Sequence, residues 1–232
     1  MRAERYRATR PTHGAAAVAD IRASPDPESP RLDQLLFGEA FDVLDQEGDR
    51  VWGQARRDGV VGWMALADLA EGAPSPRGQV DRLDGELPLN ALVAEAVSAA
   101  PVGRFADEPV AVAERLLGVP HAPGARSSRE TDCAGLIQQA LYACGRAGPR
   151  YADQQAELGV RTERAQARRG DLVVWPHPQG GPGWSGHSAF MLDADRVLHA
   201  VGDKGAVVIE DFAEADGRYR DGGFERPIFR RL

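Results

Sequence analysis

The sequence of 232 residues predicts an α+β protein preceded by a small β-barrel, and three observations predict it. From about residue 17 to 70, short apolar alternations are interrupted by Gly, Asp and Pro, the rhythm of short antiparallel strands joined by tight turns. The second half runs the other way, with helical periodicity first and then a series of strands, the order expected of an α+β domain. Between them lies a stretch rich in Pro, Gly and charge that reads as a connection. The expected organisation is therefore a barrel over 1–73, a linker over 74–106 with a possible short helix from Leu89 to Ala100, and the α+β domain over 107–232.

The barrel strands are read from Val18-Ala19-Asp20-Ile21-Arg22, Leu36-Phe37-Gly38-Glu39, the segment around Trp52, and Gly59-Val60-Val61-Gly62-Trp63. Gln46-Glu47-Gly48-Asp49 and Arg57-Asp58-Gly59 supply the turns, with Gly59 suited to positive φ. In the second domain, Asp107 as cap, Pro109 in the first turn and Gly118 past the last periodic residue predict a helix. A loop follows to Asp132, then a helix from Cys133 to Gly145, then a short helical stretch. Strands are expected at 170–176, 187–193, 196–202 and 206–211.

Composition narrows the function. The net charge of −7 and the scattered arginines give no basic field, so nucleic-acid binding is not expected. No stretch reaches the roughly 18 apolar residues of a membrane span, and the N-terminus lacks an apolar signal core, so the expectation is a cytoplasmic protein, or a periplasmic one if an export signal precedes this sequence. The two cysteines, Cys133 and Cys144, are too few and too far apart for a disulfide framework. Close Cys or His ligand pairs are lacking, so neither a metal nor a cofactor is expected. Oligomeric state stays open.

Chemistry concentrates on Glu130-Thr131-Asp132-Cys133-Ala134-Gly135-Leu136. A thiol is nucleophilic as thiolate, and the N–H groups at a helix N-terminus favour that form. A base is also needed. His187 and His199 lie on successive predicted strands, and their separation of 12 (199 − 187) lets both project to one side of a hairpin. Cys144 reads as structural.

Four ordered blocks carry a resemblance: Asp132-Cys133-Ala134-Gly135-Leu136, Gly170-Asp171-Leu172-Val173-Val174-Trp175, His187-Ser188-Ala189-Phe190 and Leu198-His199-Ala200. Together they resemble the NlpC/P60 family of papain-like cysteine peptidases over residues 107–232, and the first domain resembles a bacterial SH3 domain. The resemblance implies helices packed on an antiparallel sheet, with Cys133 as nucleophile, His187 as general base and His199 as the residue that orients it. It further implies the Cys133 N–H as an oxyanion donor. This domain pairing is similar to enzymes that cut the γ-D-glutamyl bond to a diamino acid in short cell-wall peptides, such as L-Ala-γ-D-Glu-diamino acid, during murein recycling. In those, an acidic residue holds the free alanine amine; here it maps onto Asp132, which reads equally as a helix cap. Trp184, before His187, and His121, beside the Pro-rich loop, complete the substrate-binding candidates.

Departures from the family pattern are Ala134 for a serine, Pro120-His121-Ala122-Pro123-Gly124-Ala125 without Tyr or Trp, and Val60 for a tyrosine in the barrel. They leave two alternatives: a catalytically altered cell-wall peptide-binding protein, or a Cys-dependent amidase or acyltransferase on another substrate.

Overall fold

A computed structural model describes residues 8–96, 99–181 and 184–232. The opening Met1–Arg7 and the Pro182-Gly183 pair lie outside the described residues. The chain divides into two compact units, Met1–Val102 and Gly103–Leu232.

The first unit is all β. Strands β1 (Arg10–Gly14), β2 (Val18–Arg22), β3 (Arg31–Leu36), β4 (Ala40–Glu47), β5 (Arg50–Ala55), β6 (Val61–Ala65) and β7 (Leu69–Glu71) form one sheet in the order β3-β2-β6-β5-β4-β1-β7. Alternate residues turn inward, and Ile21, Leu35, Phe41, Val51 and Met64 are fully buried. Gly59 takes φ 83° between β5 and β6, as its turn requires.

The stretch expected as a linker belongs to this unit as far as Val102. It holds β8 (Gly78–Gln79), β9 (Leu92–Val93) and β10 (Ala100–Pro101), a three-stranded sheet in the order β10-β8-β9. Val80, Leu89 and Ala91 are buried, and the Leu92 N–H donates to the Phe37 carbonyl at 2.8 Å. The helix expected from Leu89 to Ala100 does not form over its described residues: Asn90 sits at φ 70° and the chain then extends into β9, while Val97 and Ser98 lie outside the described residues. Pro, Gly and charge gave this segment the look of a linker; three well-spaced apolar residues anchor it instead.

The second unit begins with α1 (Pro109–Glu114), shorter than expected, with Glu108 rather than Asp107 at its N-cap and no side-chain cap bond. Then come α2 (Cys133–Ala143), α3 (Ala152–Gln155), β11 (Val160–Thr162), β12 (Leu172–Gly181), β13 (Trp184–Met191), β14 (Arg196–Val201), β15 (Ala206–Asp211), α4 (Phe212–Asp221) and β16 (Ile228–Arg231). The six strands order β11-β16-β12-β13-β14-β15, and each pairs antiparallel with its neighbours. The period of two along β12 decides the two layers: Val173 and Trp175 pack with Phe212, Ala215 and Tyr219 of α4, whereas Val174 packs with Ala152 and Ala156 around α3. Trp184 begins β13, and α4, β11 and β16 are additions to the expected elements.

Candidate active site

Cys133 is the first residue of α2, and the reason is local. The Asp132 carboxylate accepts from the Gly135 N–H at 2.7 Å, an N-cap bond that starts the helix one residue later. Its other oxygen accepts from the Gly124 N–H at 2.9 Å. Gly135 is required because a Cβ there would lie 2.2 Å from the Ala125 carbonyl oxygen. The loop and the helix start are thus pressed together, and the thiol is held between them.

His187 on β13 and His199 on β14 face one another, with His187 Nε2 2.9 Å from His199 Nδ1. The far nitrogen of His199, Nε2, is 2.8 Å from Glu210 Oε2 on β15, and Arg218 on α4 grips both Glu210 oxygens at 3.0 and 2.5 Å. Tyr219 stacks on the His187 ring, 4.3 Å between centroids and 24° between planes. His199 is wholly buried, and Cys133 and His187 are each 8% exposed.

Burial governs the electrostatics. It pushes the Cys133 thiol up to about 12, the Asp132 charge adds to the rise, and the Ser188 N–H, Arg150 and the Ala134 N–H oppose it. Desolvation and the adjacent carboxylate thus outweigh the helix N–H groups that favour the thiolate. Burial likewise holds His187 well below the ordinary histidine value, with His199 and Arg218 adding to the fall. His199 is lowered by burial against the pull of Glu210. The hydrogen bond from His199, with Arg218 alongside, holds Glu210 far below the usual carboxylate range. At neutral pH the site is a neutral thiol beside a neutral imidazole pair backed by an ionised carboxylate.

A cavity of about 570 Å³ opens on these groups. Cys133, His187, Asp132, His121 and Trp184 all line it, so the structure brings to one cavity every expected residue except His199, which stands behind His187. His121 is half-buried in the loop beside Gly202, its basicity lowered by burial. Trp184 is 44% exposed and packs edge-on against Phe224. Of the two expected roles of Asp132, the helix cap is the one the structure shows. Arg150, buried in the cavity wall, clamps both of its oxygens at 3.0 and 2.6 Å, so its charge is already matched. Of the cavity's lining residues, the other carboxylate is Asp203, exposed on the β14–β15 turn.

Sequence reasoning missed Arg150, Glu210, Arg218 and Tyr219. For the last three a signal existed: Asp211 followed by Glu214 has the spacing of a helix start, and Asp211 does cap α4 through the Ala213 and Glu214 N–H groups. The polar run after it masked the helix.

Residues 118–220 match the NlpC/P60 family, and residues 21–69 match the bacterial dipeptidyl-peptidase SH3 domain. The second unit belongs to the NlpC/P60 family. Among curated proteins, peptidoglycan endopeptidase RipB of Mycobacterium tuberculosis is 32% identical over 84 residues, 36% of this chain and 33% of RipB. A γ-D-glutamyl-L-lysine dipeptidyl-peptidase of Bacillus cereus is 26% identical over 95 residues, 41% of this chain and 28% of that enzyme. The matched stretch thus spans about a third or less of these relatives' length. A crystal structure of an NlpC/P60 family protein from Bacillus cereus ATCC 10987 shares the fold, with TM-score 0.77 at 16% identity over 95% of this chain and 99% of that one.

Proposed function

We propose that this protein is a cysteine peptidase that hydrolyses the γ-D-glutamyl to L-diamino acid bond of short cell-wall peptides. The observation that carries the reading is that Cys133 and His187 line one cavity of an NlpC/P60 domain, with His199 hydrogen-bonded behind His187. The named activity of the Bacillus cereus relative supports the choice of bond.

The neutral thiol makes this a general-base reaction. His187 takes the Cys133 proton as the sulfur attacks the γ-carbonyl carbon, and the Cys133 N–H stabilises the oxyanion. The imidazolium then protonates the departing diamino-acid nitrogen as the C–N bond breaks, leaving a thioester on Cys133. Water attacks the thioester, His187 accepts its proton and returns it to the sulfur, and the γ-D-glutamyl product leaves.

Recognition of a free N-terminal amine falls to Asp203 in this reading, since Arg150 already neutralises Asp132. Trp184 and His121, which line the same cavity, contact the peptide in this reading. A cytoplasmic recycling role belongs to the same proposal, and fractionation of the source cells tests it.

The deciding experiment is mass spectrometry of the protein incubated with L-Ala-γ-D-Glu-diaminopimelate and its N-acetylated form, beside Cys133→Ala. Cleavage of the free-amine peptide that depends on Cys133 supports the proposal. Cleavage of neither peptide, with Cys133 still alkylated faster than Cys144, moves the assignment to another acyl substrate. Ala134, which removes a hydroxyl from the cavity wall, is the observation that favours this second reading.

A further inference from the structure

We propose that Glu210, locked by Arg218, sets the proton register of the catalytic relay and so makes Nδ1 of His187 the base. This rests on the reading of Cys133 as nucleophile and His187 as its base, and it names a positioning residue outside the expected triad.

An ionised carboxylate can only accept. With Glu210 Oε2 at 2.8 Å, the neutral His199 ring must carry its proton on Nε2. Its Nδ1 is then a lone pair, and the contact of 2.9 Å to His187 Nε2 is satisfied only if His187 donates from Nε2. One nitrogen of His187 remains, Nδ1, and it holds the lone pair. Each step follows from the one before, so the tautomer of the base is decided two residues away from it.

The arrangement is built to keep Glu210 in this state. Arg218 holds both of its oxygens, and Lys204 Nζ lies 3.7 Å from Oε1. The charged and titratable groups facing the histidine pair are Glu210 on β15, Arg218 and Tyr219 on α4, Cys133 on α2 and His121 in the preceding loop. Glu210 is the carboxylate in contact with the pair. Tyr219, stacked on His187, restrains the ring from turning over, which would exchange its nitrogens.

The test is a long-range proton–nitrogen correlation spectrum of full-length protein labelled with ¹⁵N-histidine, which distinguishes the two neutral tautomers. Both His187 and His199 should be protonated on Nε2. A wild-type His187 protonated on Nδ1 overturns the proposal whether or not the protein cleaves any peptide, so its failure is separable from failure of the peptidase reading. Glu210→Gln supplies a second arm, read by iodoacetamide alkylation of Cys133 against pH. The amide can also donate, and it removes a negative charge that favours the imidazolium, so the acid limb should move to lower pH. The plateau should fall at least about tenfold. A Glu210→Gln profile that coincides with wild type overturns the proposal; if that variant does not fold, the wild-type spectrum decides alone.

Discussion

At the residue scale the site depends on which groups stay neutral. Cys133→Ala should lower turnover by at least about 10³-fold while leaving the circular dichroism spectrum unchanged, since the other elements of the site leave only a residual rate. The pH dependence has a definite sign. His187 acts as a base only when neutral, and its value lies well below 6.5, so the acid limb of kcat/KM should fall below that pH and not above it. The thiol, raised to about 12, should be alkylated with His187 as its base, so the rate should fall on the same acid limb below pH 6.5 and level off above it. Asp203→Asn should raise KM for the free-amine peptide by about tenfold, the worth of one charge-assisted hydrogen bond near the surface, and leave any reaction with the N-acetylated peptide unmoved. An equal effect on both peptides would remove Asp203 from amine recognition.

At the element scale, the start of α2 has little tolerance. Gly135→Ala would bring a Cβ to 2.2 Å from the Ala125 carbonyl, and relief requires the loop or the helix to move. Thermal denaturation should show a loss of about 1–3 kcal/mol, with activity falling as Cys133 shifts. Arg150→Ala should cost about 3 kcal/mol or more, because it leaves the Asp132 carboxylate uncompensated in a mostly buried position. The same elements tell how far the sequence could be read. The apolar alternation of Val173 and Trp175 and the helical run after Cys133 announce themselves, since each buries a regular face. Helix α4 carries only Phe212, Ala215 and Tyr219 inward on a polar background, so its period is faint, and with it Glu210's partner Arg218 was hidden.

At the scale of the whole molecule, all the described residues that line the cavity fall within Gly103–Leu232. A fragment of residues 103–232 should therefore retain the alkylation profile of Cys133; loss of selectivity over Cys144 in a folded fragment would show that the first unit is needed to form the site. The first unit extends further than composition suggests. A Pro- and charge-rich stretch is unstructured only if it lacks apolar anchors, and Val80, Leu89 and Ala91 provide them.

The sequence by itself determined the two-domain plan, the barrel turns, the helix that begins at Cys133 and the even spacing that lets His187 and His199 meet, because each is a local pattern of period, turn chemistry or capping. Tertiary structure alone decided that Arg150 occupies Asp132, that Glu210 and Arg218 back the histidine pair, and that burial pushes the thiol up. Those outcomes come from residues 8 to 18 positions apart brought into contact, and from the low dielectric of a buried site, neither of which leaves a period in the chain.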